Sequence, residues 1–102
     1  MNIKYNKKDG DLAIYVYGEL DECSVSNARE MMDRVLLDNL NAEKVVFDLS
    51  GLTFMDSTGI GLLIGRYKKI KQFNIPSYIS GANFSVEKVI ELAGLYKIMP
   101  KY

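Results

Sequence analysis

Apolar residues in this chain fall into short blocks of two kinds, and the kinds alternate. Leu12 to Tyr17 reads LAIYVY, almost wholly apolar and rich in β-prone residues, which predicts a central strand. Ile3 to Asn6 predicts an edge strand before it, joined through a hairpin turn at Lys7-Lys8-Asp9-Gly10. Gly18-Glu19-Leu20-Asp21 closes the central strand. From Ser24, a suitable N-cap, the residues Val25, Ala28, Met32, Val35 and Leu36 trace one apolar stripe of a helix ending near Asn39. Its far side carries Arg29, Glu30, Asp33 and Arg34, which read as a solvated face.

The second half repeats the alternation. Val45 to Leu49 is apolar at four of five positions, the mark of a parallel strand with helices over at least part of each face. A polar loop ends in Asp56-Ser57-Thr58-Gly59, and a long helix follows. Its inner stripe is Ile60, Leu63, Ile64, Tyr67 and Ile70, while Arg66, Lys68, Lys69 and Lys71 mark its outer side and last turns. Asn74-Ile75-Pro76 breaks this helix, and Ser77 to Ser80 predicts a strand. Asn83 caps a third helix with Val86, Val89, Ile90 and Ala93 inward, and Gly94 ends it. Tyr96 to Met99 predicts a last short strand. An initial hairpin followed by alternating helices and strands gives an α/β domain with a mixed, largely parallel sheet.

Composition removes whole classes of chemistry. The 102 residues suit a single domain spanning the chain, and an apolar fraction of 48% supports one core. Thirteen basic and thirteen acidic residues cancel, which gives no electrostatic reason for a nucleic-acid or anionic-membrane partner. No apolar run reaches the roughly 18–20 residues of a membrane span, and MNIKYNKKDG lacks a signal-peptide core. Histidine is absent, so Ser-His-Asp hydrolases, Cys-His proteases and His-ligated zinc drop out together. Cys23 stands alone, which excludes an internal disulfide and a thiolate cage and suits a reducing cytoplasm. With no Lys, Arg or His adjoining it, Cys23 reads as a small packing residue.

Glycines invite a nucleotide reading that does not hold. Gly59, Gly61 and Gly65 open a helix after a strand, but Ser50 to Thr58 intervene, where a dinucleotide motif turns almost directly. No acid stands at the ribose position about 20 residues on, and no GxxxxGK[ST] loop is present. Gly59 and Gly61 are better read as easing the loop-to-helix entry, and Gly65 as letting the helix lie close to the sheet. No cofactor is expected. Asp21, Asp48 and Asp56 each end or follow a strand at the edge where α/β folds bind ligands. Asp48 reads as satisfying loop N–H groups; Asp21 and Asp56 stay open between capping and function. Ser57 reads, from the residues alone, as an N-cap with Thr58 as first helical residue.

Four motifs in order resemble one family. Asp56-Ser57-Thr58-Gly59-Ile60-Gly61 is similar to the Asp-Ser-[Ser/Thr]-Gly-[Leu/Ile]-Gly signature of STAS-domain anti-sigma factor antagonists. Gly18-Glu19-Leu20-Asp21 resembles the family's upstream Gly-x-[Leu/Ile]-Asp. Gly65 to Gln72 and Ala93 to Ile98 resemble the branch that controls a sporulation sigma factor. The resemblance implies a cytoplasmic binding module that is not an enzyme. In it, Ser57 is phosphorylated by an anti-sigma factor that is also a serine kinase, and a serine phosphatase resets it. Unphosphorylated, it binds that partner and frees the sigma factor. Asp21, Asp56, Ser57, Thr58 and Gly59 would form the partner surface, in a monomer or weak dimer. A small-ligand or nucleotide-sensing module on the same fold is the alternative. Family members usually continue into a C-terminal helix. Its absence here leads one to expect a less covered sheet face.

Overall fold

The computed structural model describes residues 2–102. Its elements are β1 (Asn2–Lys8), β2 (Asp11–Leu20), α1 (Val25–Leu37), β3 (Lys44–Asp48), β4 (Leu52–Met55), α2 (Ser57–Lys71), β5 (Ser77–Ser80) and α3 (Phe84–Leu92). A 3-10 turn at Leu95–Lys97 follows. β1 and β2 form the expected hairpin, antiparallel from Asn2 opposite Tyr17 to Lys8 opposite Asp11. Asp9 and Gly10 both have positive φ, the two-residue turn whose twist suits a hairpin. β2, β3 and β5 then run parallel in that order, with β4 parallel to the end of β2.

Side chains at Leu12, Ile14, Val16 and Leu20 point into the core, while the residues between them stay at least partly exposed. Met32, Leu63 and Ile90 bring α1, α2 and α3 into that same core. The opposite side of the sheet holds an open groove of about 300 Å³ over Ala13, Tyr15, Val46 and Asp48. Helices on part of each face were expected from Val45–Leu49. Instead the centre of β3 is apolar on both faces because Val45 and Phe47 join the core while Val46 is buried separately from it. Among the described residues no helix is long and apolar enough to cross a membrane.

Three local expectations need correction. β2 does not stop at Tyr17. Gly18, at φ 96°, introduces a register shift, and β2 continues by pairing Gly18 with Leu52, Glu19 with Phe54 and Leu20 with Met55. β4 is therefore a strand inside what the sequence presents as a polar loop. Its entry needs Gly51, since a Cβ there would lie 2.3 Å from the Tyr17 ring. Secondly, Tyr96–Met99 is not a strand. Gly94, at φ 71°, ends α3 and starts the 3-10 turn, and only Lys101 bridges in extended form to Ile79. Thirdly, Arg66 does not face outward. It is only 6% exposed and turns from α2 toward Asp33 of α1.

Candidate functional site

The pairing of Leu20 with Met55 is the last of β2 and β4, so both parallel strands release their chains at one edge. Asp21 and Asp56 are the next residues on each. Adjacent strands lie roughly 4.8 Å apart, so the chain leaves the sheet side by side at these two residues. Asp21 closes the turn into α1: its Oδ1 accepts from the N–H of Cys23 (2.9 Å) and of Ser24 (3.1 Å). Ser24 holds the N-cap position without making a cap bond. Its hydroxyl donates instead to the Glu19 carbonyl at 2.7 Å, tying α1's start back to β2.

Asp56, not Ser57, is the N-cap of α2. Its backbone is extended, and its Oδ1 accepts from the Thr58 N–H at 3.0 Å. Ser57 becomes the first helical residue and Thr58 the second. The shift by one follows from chemistry: a carboxylate at this position satisfies an otherwise orphaned donor and suits the positive end of the helix. Ser57 is exposed, whereas Thr58 is half-buried with its N–H occupied. Gly59 is buried beneath them. A Cβ there would sit 2.4 Å from Met55 Cγ and 3.0 Å from Leu20 Cγ, so the first turn of α2 rests directly on the last strand pair. Gly61 and Gly65 behave differently from expectation, because a Cβ at either meets nothing within 4 Å. They stand at i+4 and i+8 from Ser57, so α2 has no side chains along the path leading away from the hydroxyl.

The site can do little chemistry unaided. Asp56 Oδ1 is committed to a backbone N–H, and the chain has no histidine to take the Ser57 proton. What it offers is an exposed hydroxyl at the positive end of a 15-residue helix, ready to receive a group and to carry an anion. Among the described residues no group of carboxylate, thiol and imidazole side chains could hold a metal ion. Cys23 is exposed, not packed, two residues after Asp21. Asp48, the last residue of β3, accepts through Oδ1 from the Ser50 N–H at 2.9 Å and the Ser50 hydroxyl at 2.6 Å, in the loop before β4.

A STAS domain family model matches residues 2–102. The chain belongs to the STAS domain family. Over its full length this STAS domain is 34% identical to an anti-sigma F factor antagonist of Paenibacillus polymyxa, covering 86% of that protein. Among solved structures, an anti-sigma factor antagonist from Mycobacterium paratuberculosis aligns with TM-score 0.85 at 25% identity, over 99% of this chain and 84% of that one. The antagonist SpoIIAA in its unphosphorylated form aligns with TM-score 0.80 at 22% identity, over 99% and 88%. Its phosphorylated form aligns with TM-score 0.71.

One arrangement escaped the reading of the sequence. Asp33 on α1 accepts from Lys69 Nζ through Oδ2 and faces Arg66 Nε through Oδ1, both at 3.2 Å. Burial pushes the Arg66 guanidinium below its ordinary pKa, and Asp33 partly restores it. The signal was present: Arg66 lies three residues after Leu63 and four before Ile70, on the same stripe.

Proposed function

We propose that this STAS domain is an anti-sigma factor antagonist that works as a phosphorylation switch at Ser57. The observation that carries this reading is the exposed Ser57 hydroxyl at the first turn of α2, beside the paired ends of β2 and β4. The names of its relatives speak for an antagonist and not for a small-ligand sensor. The partner is an anti-sigma factor acting in the cytoplasm. On this reading, which rests on the family resemblance, that partner is also the serine kinase; the domain has no histidine to activate the hydroxyl itself. A serine phosphatase reverses the step.

The surface around Ser57 supports close docking. Asp56 caps the helix turn that presents Ser57 and Gly59 seats that turn on the sheet; with Asp21 and Thr58 they would form the partner surface, while Gly61 and Gly65 leave α2 bare beside it. A phosphate on Ser57 adds roughly −1.5 to −2 charge at the positive end of α2, so the fold tolerates it. The same charge facing the γ-phosphate of a kinase-bound ATP repels across the interface by several kcal/mol. The unmodified domain therefore binds and the phosphorylated one leaves. Reconstitution with the purified cognate anti-sigma factor, ATP and magnesium tests this by intact mass. One added phosphate is expected with the partner present and none without it; self-phosphorylation by the domain alone would sink the reading.

A further inference from the structure

The opposite end of α2 carries a second surface. The last turns of α1 and α2 enclose a groove of about 230 Å³ with Leu36 and Ile70 at its base and Leu37, Leu40 and Phe73 along it. Leu37 is 69% exposed and Phe73 51%. Burying a large apolar side chain is favourable, and here two such side chains share one groove uncovered. Exposed apolar grooves with polar rims are typical of docking sites.

Charge on the rim narrows the occupant. Among the described residues Asp33 is the one carboxylate facing both Arg66 and Lys69, and Arg29 adds a further positive charge near Arg66. Arg66 Nη1 is buried with no hydrogen-bond partner. Both helices end here with their carbonyls, and Arg34, Lys68, Lys69 and Lys71 are their last-turn cations. Lys69 shares the single carboxylate of Asp33 with Arg66, two cations to one anion, and its side chain is 58% exposed.

We propose that this groove docks an amphipathic helix of a protein partner, apolar face inward and an acidic side chain against Lys69. Lys69 lies twelve residues after Ser57, roughly 18 Å along the helix axis. Binding here is therefore independent of phosphorylation at Ser57 and compatible with simultaneous engagement of that end. The mode is a helix laid in a groove, read by side chains at spacings of three and four.

Two designed 16-residue helical peptides test it. Both carry leucines at i, i+4 and i+7; one has glutamates flanking them and the other lysines. Each is titrated into the isotope-labelled domain and followed by amide chemical shifts. The glutamate peptide is expected to saturate, with shifts confined to Leu36–Leu40 and Lys69–Phe73, and the lysine peptide to bind at least about tenfold more weakly. Lys69→Glu should reverse that preference, and Leu37→Asp should weaken binding about tenfold or more. Phe73→Ser, beyond the helix end, serves as the second apolar variant if Leu37→Asp fails to fold. Ser57→Asp should leave the titration unchanged. Absence of saturation, equal binding of both peptides, or shifts centred elsewhere would overturn the proposal. So would shifts of these same amides with protein concentration alone, which would make the groove a contact between two copies.

Discussion

Leu20 and Met55 face each other as the final pair of β2 and β4, and Gly59 packs on both. That contact fixes where α2 begins relative to the end of the sheet. It thereby sets Ser57 at the edge where β2 and β4 end. A Cβ at position 59 would have to displace Met55 Cγ from 2.4 Å. Gly59→Ala is therefore expected to destabilise the domain by about 1–3 kcal/mol, the usual cost of overpacking. Urea unfolding measures it, and a stability equal to wild type would mean that Met55 simply moves aside.

Gly61 and Gly65 should respond with the opposite sign. Neither has a neighbour that a methyl group would strike, and glycine inside a helix costs about 0.5–1 kcal/mol relative to alanine. Gly61→Ala and Gly65→Ala should each stabilise the isolated domain by about that amount. If α2's bare face is where the anti-sigma factor docks, the same substitutions should weaken that complex. The two effects are read separately, one by unfolding and one by titration.

Phosphate should enter at Ser57 and not at Thr58. Ser57 is exposed as the first residue of α2, while Thr58 is half-buried with its N–H held by Asp56. Peptide mapping after treatment with the cognate kinase decides between them. Asp56→Ala removes the cap and should cost about 1 kcal/mol. It should also slow phosphorylation, because the helix start that presents Ser57 would fray.

The C-terminal residues are fastened by a small ionic cluster with a defined pH signature. Glu87 on α3 pairs with Lys101 and accepts from the Tyr96 hydroxyl. Those two bonds hold the Glu87 carboxyl below its ordinary pKa, and the Tyr96 phenol is pushed up to about 12 by burial and by Glu87. A depressed folded-state pKa contributes stability that is present above the unfolded value and lost as pH falls through the folded one. Glu87→Gln should therefore lower the melting temperature at neutral pH, and the gap from wild type should close below about pH 4. A gap constant from pH 7 to pH 3 would show that the carboxylate charge is not what matters.

Much of this was legible in the sequence because the signals are local. The Asn83 cap and the strand beginning after Pro76 each follow from one or two residues and are found where expected, and the hairpin turn read at Lys7–Gly10 is there but tightens to Asp9-Gly10, with Lys7 and Lys8 paired in β1. β4 was not legible. Leu-Thr-Phe-Met is four residues long, and it becomes a strand only because Gly18 frees the end of β2 to pair with it. The cap of α2 was misplaced by one residue because Asp and Ser are both good caps, and only the geometry decides between them. Arg66 was assigned outward by its charge, although its position on the stripe was inward. Tertiary pairing with Asp33 overrode the polarity. Asp33→Ala should accordingly cost about 2 kcal/mol or more by leaving a buried cation without its partner, whereas Arg66→Leu should be close to neutral.

The switch itself is tested most directly by titration calorimetry of the domain against the ATP-loaded anti-sigma factor, with Ser57 unmodified and fully phosphorylated. A repulsion of about 3 kcal/mol corresponds to binding weakened on the order of 100-fold. The phosphorylated domain is expected to lose affinity by at least that factor while its melting temperature stays near that of the unmodified form. Equal affinity of the two forms would contradict charge repulsion at Ser57, and a large fall in melting temperature would replace it with a folding switch.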